Sequence, residues 1–204
     1  MSDASLKWQQ WLLLPFLFCL ALPASALTVI VRDAKGQPVT DAVVTLMPAA
    51  GAPAAAPVAA TIEQINKAFS PLVSVIPVGT KVLFPNRDRI RHHVYSFSPA
   101  KTFDIKLYAG DPPPPVQFDK PGIVVLGCNI HDWMIAYVVV TDAPYYGKTD
   151  AAGRLVLAEL PAADYEARLW HAQQVASVSV KKVRLTPGQR ELALEISLNA
   201  AGVR

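Results

Sequence analysis

Gly122–Val140 reads GIVVLGCNIHDWMIAYVVV. Two apolar, β-branched runs, Gly122–Gly127 and Ile135–Val140, read as strands. Between them lies one short loop, Cys128-Asn129-Ile130-His131-Asp132-Trp133-Met134. A thiol, an imidazole and a thioether stand at positions i, i+3 and i+6 of that loop. Upstream, His92 follows another strand candidate, KVLFPN, and a short basic turn. Thiolate, two imidazoles and a distant thioether form a donor set that suits copper. Sulfur favours Cu(I) and nitrogen favours Cu(II). A mixed set on a rigid β framework therefore suits both states and keeps reorganisation small when an electron moves. Methionine is a poor zinc ligand, so Met134 argues for copper over zinc.

Outward from this loop the chain keeps reading as strands. Leu27–Asp33 (LTVIVRD) alternates, Lys35–Pro38 is a turn, and Asp41–Met47 is a second strand. Pro48–Ala60 is almost all Ala, Pro and Gly and reads as a linker or surface loop. Strand signals resume at Thr61 and continue through LVSVIPVG, TKVLFPN, His93–Phe97 and Phe103–Tyr108. Pro112–Pro115 lacks the N–H donors of an interior strand and reads as a stiff exposed loop. A last set follows Tyr146: Arg154–Leu157, Asp164–Trp170, Ser177–Leu185 and Glu191–Leu198. The one place that admits a short helix is Ile62–Ala68. The class is all-β, with sandwich architecture.

Composition agrees. The 204 residues are 52% hydrophobic and 17% charged, enough for a packed core. The net charge of +3 is mild and contains no long Lys/Arg run, which sets nucleic acid aside. Residues 1–26 read as an export signal: Lys7, an apolar core Trp11–Leu22, and the small-residue motif Ala24-Ser25-Ala26. That core, broken by Pro15, is too short for a membrane span, so no span is expected after cleavage. Cys19 would leave with the signal, and Cys128 would be the lone thiol of an exported, periplasmic chain. A lone thiol in an oxidising compartment calls for an occupant.

The motif Cys128-x-x-His131-x-x-Met134 resembles the ligand loop of the cupredoxins, with amicyanin-like spacing. Asn86-Arg87-Asp88-Arg89-Ile90-Arg91-His92-His93-Val94 resembles the amicyanin and plastocyanin stretch around the first ligand histidine. Phe69-Ser70-Pro71, Val75, Val78-Gly79-Thr80 and Val82 resemble the opening strands. The likeness spans roughly Thr61 to Val140. It extends to exported proteins labelled "methylamine utilization protein", through Leu126–Asp132. It implies a Greek-key cupredoxin β-sandwich with a type 1 copper site on His92, Cys128, His131 and Met134. It also implies a one-electron carrier that docks a redox enzyme or cytochrome near His131, Ile130 and Trp133. Copper binding for delivery or sensing, without electron transfer, is the alternative.

This chain departs from the family in two places. His93 stands where cupredoxins carry Asn. His93 either takes the role of that Asn or competes as ligand; neighbouring strand residues face opposite ways, so both cannot easily face the metal, and the alignment favours His92. Asp132, beside His131, would favour the more positive copper state and lower the potential.

The flanks resemble the two halves of a carboxypeptidase-regulatory or transthyretin-like sandwich. One half carries Val31, Asp33, Gly36, Pro38 and Asp41–Val44; the other carries Thr149–Arg154, Leu160–Ala162 and Tyr165. The expected division is 27–48, an Ala/Pro linker 49–60, a cupredoxin unit 61–142 inserted into the flanking sandwich, and 143–204. The alternative is that Leu27–Met47 is an extra edge hairpin of the cupredoxin. His171 reads as a surface or edge residue and Tyr145-Tyr146 as packing. Nothing in the spacing suggests a nucleophile with its base or an acid/base pair, so no enzyme is expected.

Overall fold

A computed structural model describes residues 26–110, 112–158, 160–175 and 178–199. The expected export signal lies outside the described residues apart from Ala26, as do Asp111 and Ser177. The chain is all-β. Its strands are β1 (Leu27–Asp33), β2 (Val43–Pro48), β3 (Ala59–Thr61), β4 (Glu63–Ile65), β5 (Ala68–Ser70), β6 (Val73–Pro77) and β7 (Thr80–Leu83). There follow β8 (His92–Ser98), β9 (Lys101–Tyr108), β10 (Val116–Phe118), β11 (Gly122–Gly127) and β12 (Ile135–Thr141). The last five are β13 (Tyr145–Lys148), β14 (Arg154–Leu157), β15 (Asp164–Trp170), β16 (Ser179–Arg184) and β17 (Glu191–Ile196). No helix among the described residues is long and apolar enough to cross a membrane.

The strands build two sandwiches. β1 is the centre of a three-stranded sheet, β14-β1-β17, antiparallel to β14 and parallel to β17. A second sheet, β13-β2-β15-β16, faces it. Between them pack Val29, Val31, Val44, Leu46, Tyr165, Leu169, Leu194 and Ile196, all buried. Alternation explains the arrangement: Leu27, Val29 and Val31 turn inward while Thr28, Ile30 and Arg32 turn away. The turn Asp150–Arg154 lies against β1. A Cβ at Gly153 would stand 2.5 Å from the Val31 carbonyl oxygen, and its φ is +71°, so only glycine fits there.

The other sandwich joins the sheet β6-β12-β11-β8-β9 to β10-β7-β3, with the hairpin β4-β5 at one end. Its core includes Ile62, Phe69, Val82, Phe84, Val94, Phe118, Leu126 and Val138, together with Cys128 and Met134. A small third cluster, Val43, Val73, Val139 and Trp170, packs where the two sandwiches meet.

Two local expectations are corrected. Ile62–Ala68 is not helical but the β4-β5 hairpin, in which Glu63 pairs Ser70 and Ile65 pairs Ala68. Asn66 and Lys67 form its turn with φ of 55° and 56°. Those left-handed values are tolerated by Asn and suit a tight hairpin, not a helix. Ordered pairing also begins earlier than Thr61, since Ala59 and Ala60 already pair Lys81 and Val82 of β7.

Candidate metal centre

The site starts with an Asn-led turn. Asn86 is buried, and its amide donates to the Ile90 carbonyl at 2.8 Å and to the Tyr108 carbonyl at 3.0 Å. Its Oδ1 accepts the Asp88 N–H at 2.9 Å. These bonds fix the loop that delivers His92 to the start of β8. Asp88 is held in turn by the β4-β5 hairpin. The Asn66 N–H donates to its Oδ1 at 2.8 Å and the Lys67 N–H to its Oδ2 at 2.9 Å. Burial opposes ionisation of Asp88. The hydrogen bonds from Lys67, His92 and Asn66 outweigh it and hold the pKa below the usual carboxylate value.

His92 is wholly buried. Its Nε2 lies 2.8 Å from Asp88 Oδ2. An ionised carboxylate only accepts, so Nε2 carries the proton and Nδ1 is left as a bare lone pair. Nδ1 is buried with no hydrogen-bond partner. A buried unsatisfied nitrogen calls for a reason. Nearby, one donor atom each of His92, Cys128 and His131 lies within 4.8 Å of the other two, a group that could hold a metal ion.

Cys128 directly follows β11 and is buried; its Sγ is 3.8 Å from His131 Nδ1. The His131 ring is tilted against His92, with centroids 5.1 Å apart. His131 is half-buried, unlike wholly buried His92. The Met134 N–H donates to the His131 carbonyl at 2.9 Å, closing the loop and returning the chain to β12. Met134 is buried in the same core as Cys128, and both line one face of an open groove. Preceding Cys128, Gly127 makes room for Tyr95: a Cβ there would sit 2.7 Å from the Tyr95 ring. Asp132 is exposed at the rim of that groove.

His93 turns the other way. Its Nε2 bonds Asp104 on β9, and its ring lies 5.5 Å from Tyr95. The ladder shifts register between His92 and Val94, so both histidines are buried while facing different partners. His171 is not part of this donor cluster. It lines a cavity at the junction of the sandwiches with Asp41, Tyr137 and Trp133, and its Nδ1 accepts the Gln173 N–H. It is therefore half-buried at a junction and not a surface residue.

Reasoning from sequence missed Asp88 and the Asn66–Lys67 turn. The spacing Asp88-x-x-x-His92 was the available signal for the first. Nothing local pointed to the second, because the hairpin meets Asp88 only through the fold. The same turn reaches the ligand loop: Trp133 Nε1–H donates to the Lys67 carbonyl at 3.2 Å, and Trp133 stands 5.2 Å from His131, centroid to centroid.

The donor set fits a copper ion: one thiolate sulfur, two imidazole nitrogens and a buried thioether on the same loop. No protein-family model matches the chain. No curated protein matches it either. Among solved structures, a purple cupredoxin from Nitrosopumilus maritimus is 27% identical, with a TM-score of 0.36; the match covers 40% of this chain and 99% of that one. A copper-containing nitrite reductase from Thermus scotoductus is 28% identical, with a TM-score of 0.39, covering 55% of this chain and 28% of that one. Amicyanin from Paracoccus versutus is 18% identical, with a TM-score of 0.38, covering 48% of this chain and 98% of that one.

Proposed function

We propose that this chain is an exported type 1 copper protein that carries single electrons, with His92, Cys128, His131 and Met134 as its metal ligands. The observation that carries this reading is the convergence of His92, Cys128 and His131, one donor atom of each lying within 4.8 Å of the other two, beside a buried His92 Nδ1 that has no hydrogen-bond partner. Copper bound there would supply a one-electron couple.

The protein's own residues do the rest. Asp88 holds the Nε2 proton of His92 and so presents Nδ1 inward. Asn86 and the Asn66–Lys67 turn hold Asp88. The apolar core around Cys128 and Met134 excludes water from the sulfur side. Half-buried His131, with Ile130 and Trp133 exposed beside it, is the approach for a redox partner. Rigid strands on both sides of the loop keep donor positions constant between oxidation states.

The division of the chain is read in the same way. Residues 27–48 and 143–204 form a carboxypeptidase-regulatory-like sandwich, and residues 61–142 are a cupredoxin unit inserted into it through the 49–60 linker. Supporting this, β1 and β2 pair only with strands from Tyr145 onward. Export, with the periplasm as destination, rests on the motif at 1–26.

The test is the visible spectrum of the purified protein titrated with Cu(II). A strong thiolate-to-copper band, bleached by ascorbate and absent in Cys128→Ser, is the expected result. A colourless protein that still binds Cu(I) would replace electron transfer with copper delivery or sensing.

A further inference from the structure

The ground beside His131 is uneven in charge. The Asn66–Lys67 turn and the Asp88–Ile90 loop share a shallow depression lined by Asn66, Lys67, Asp88, Arg89 and Ile90. Lys67 is tied to Trp133 through its carbonyl, and Trp133 to His131 through ring contact. This makes one continuous surface from the depression to the half-buried candidate ligand. Its apolar members are Ile90, Ile130 and Trp133, 41%, 47% and 67% exposed. Exposed Lys67 and Arg89 line the depression, and exposed Arg91 follows directly in the chain, between Ile90 and His92.

Charge bookkeeping on this side is one-sided. Arg87 is paired with Glu63 at 2.9 Å. Among the described residues, Lys67, Arg89 and Arg91 have no carboxylate in ion-pair range. Asp88 is engaged by His92 and two backbone N–H groups, and Asp132, the one exposed acid of the loop, lines the groove with Cys128 and Met134. Three free cations around an apolar centre attract an anionic partner over a Debye length of about 8 Å at physiological salt.

We propose that Lys67, Arg89 and Arg91 form a cationic collar around His131 and Trp133 that docks an acidic redox protein. The partner's electron-exchanging role rests on the reading under Proposed function; the sign of the collar does not. Exposed aromatic and aliphatic groups provide the dry centre of a small transient contact, and the collar steers encounter and sets orientation. Transfer moves one electron between the partner and copper, with no proton or atom.

The first test uses the copper-free protein, labelled with ¹⁵N and titrated with hexacyanochromate(III), a redox-inert paramagnetic trianion. The amides of Lys67, Arg89 and Arg91 and the Trp133 indole N–H should broaden first. The effect should vanish in the double variant R89E/R91E, and tris(ethylenediamine)chromium(III), a trication, should leave these signals sharp. Equal broadening by both ions, or first broadening on the Lys181–Lys182 face, overturns the proposal. In copper-loaded protein, oxidation of hexacyanoferrate(II) with reduction of Cu(II) to Cu(I) should slow about tenfold in R89E/R91E at low salt, with the visible spectrum unchanged. An unchanged rate with an intact spectrum overturns the collar and leaves the carrier reading standing. A colourless protein with localised broadening does the reverse. Binding to phosphatidylglycerol vesicles that is lost in R89E/R91E would assign the collar to an anionic membrane and overturn the protein partner.

Discussion

His92 Nε2 meets the Asp88 carboxylate across 2.8 Å, and this single bond leaves Nδ1 as the buried ring nitrogen without a partner. Replacing the carboxylate with an amide removes the anion but keeps the shape. Asp88→Asn should lower copper affinity by about ten- to a hundredfold, the usual cost of losing an outer partner of a ligand histidine. It should also raise the reduction potential, because a neutral partner donates less to the imidazole and supports Cu(II) less. Competitive copper titration and protein-film voltammetry measure the two effects. Unchanged values for both would mean that Asp88 only shapes the loop.

Met134 is both a core residue and the proposed fourth ligand, and the two roles separate by substitution. Met134→Ala should cost about 2–5 kcal/mol through the cavity it leaves. Met134→Leu conserves volume and should cost less than about 1.5 kcal/mol. If the thioether approaches the metal, the leucine variant should still shift the visible and EPR spectra. Denaturant melts of the copper-free proteins beside spectra of the loaded ones give both answers.

Gly127 and Tyr95 share one space. A methyl group at position 127 would stand 2.7 Å from the phenol ring, next to Cys128. Gly127→Ala should destabilise the protein by about 1–3 kcal/mol, as overpacking does. In the double variant with Tyr95→Leu, part of that loss should return, because contacting residues couple. A full double-mutant cycle in urea measures the coupling; strict additivity would show that the ring moves aside freely.

His171 carries a pH prediction. Burial lowers its pKa below the ordinary 6.5, only partly offset by the Thr40 backbone and the charge of Asp41. A group with a depressed folded-state pKa contributes stability above its unfolded pKa. That stability is lost as pH falls through the folded-state value. Stability should therefore decline as the medium is acidified below about 6.5, the unfolded value. His171→Gln should flatten that slope. Thermal melts of both proteins from neutral to mildly acidic pH decide it, and identical slopes would remove His171 from the account.

The strands were legible where the pattern was strong. Gly122–Gly127, Arg154–Leu157 and Asp164–Trp170 appear with the expected bounds, because Val, Ile and Leu alternate or run together between clear turns. Short strands escaped. β4 and β5 have three residues each, too few for a period to register, and their stability comes from packing Ile62 and Phe69 into the core. β13 hid behind Tyr145 and Tyr146, which read as packing residues; Tyr145 does stack edge-on against Tyr165 while pairing Leu46 of β2. At the site, residue types and spacing singled out Cys128, His131 and Met134 on one loop, and the fold brings donor atoms of Cys128 and His131 together with one of His92. The support under His92 stayed invisible, since Asp88, Asn66, Lys67 and Trp133 meet only once the hairpin docks.

The central place of β1 in its sheet bears on the order of folding. Its two neighbours, β14 and β17, come from the opposite end of the chain. A chain emerging N-terminus first would hold β1 without these partners until β14 and β17 had followed. All strands of the sandwich that holds Cys128 have emerged by Thr141. Loop-closure cost delays the longest-range pairings. The sandwich that holds Cys128 should thus be able to form while the other one is still open.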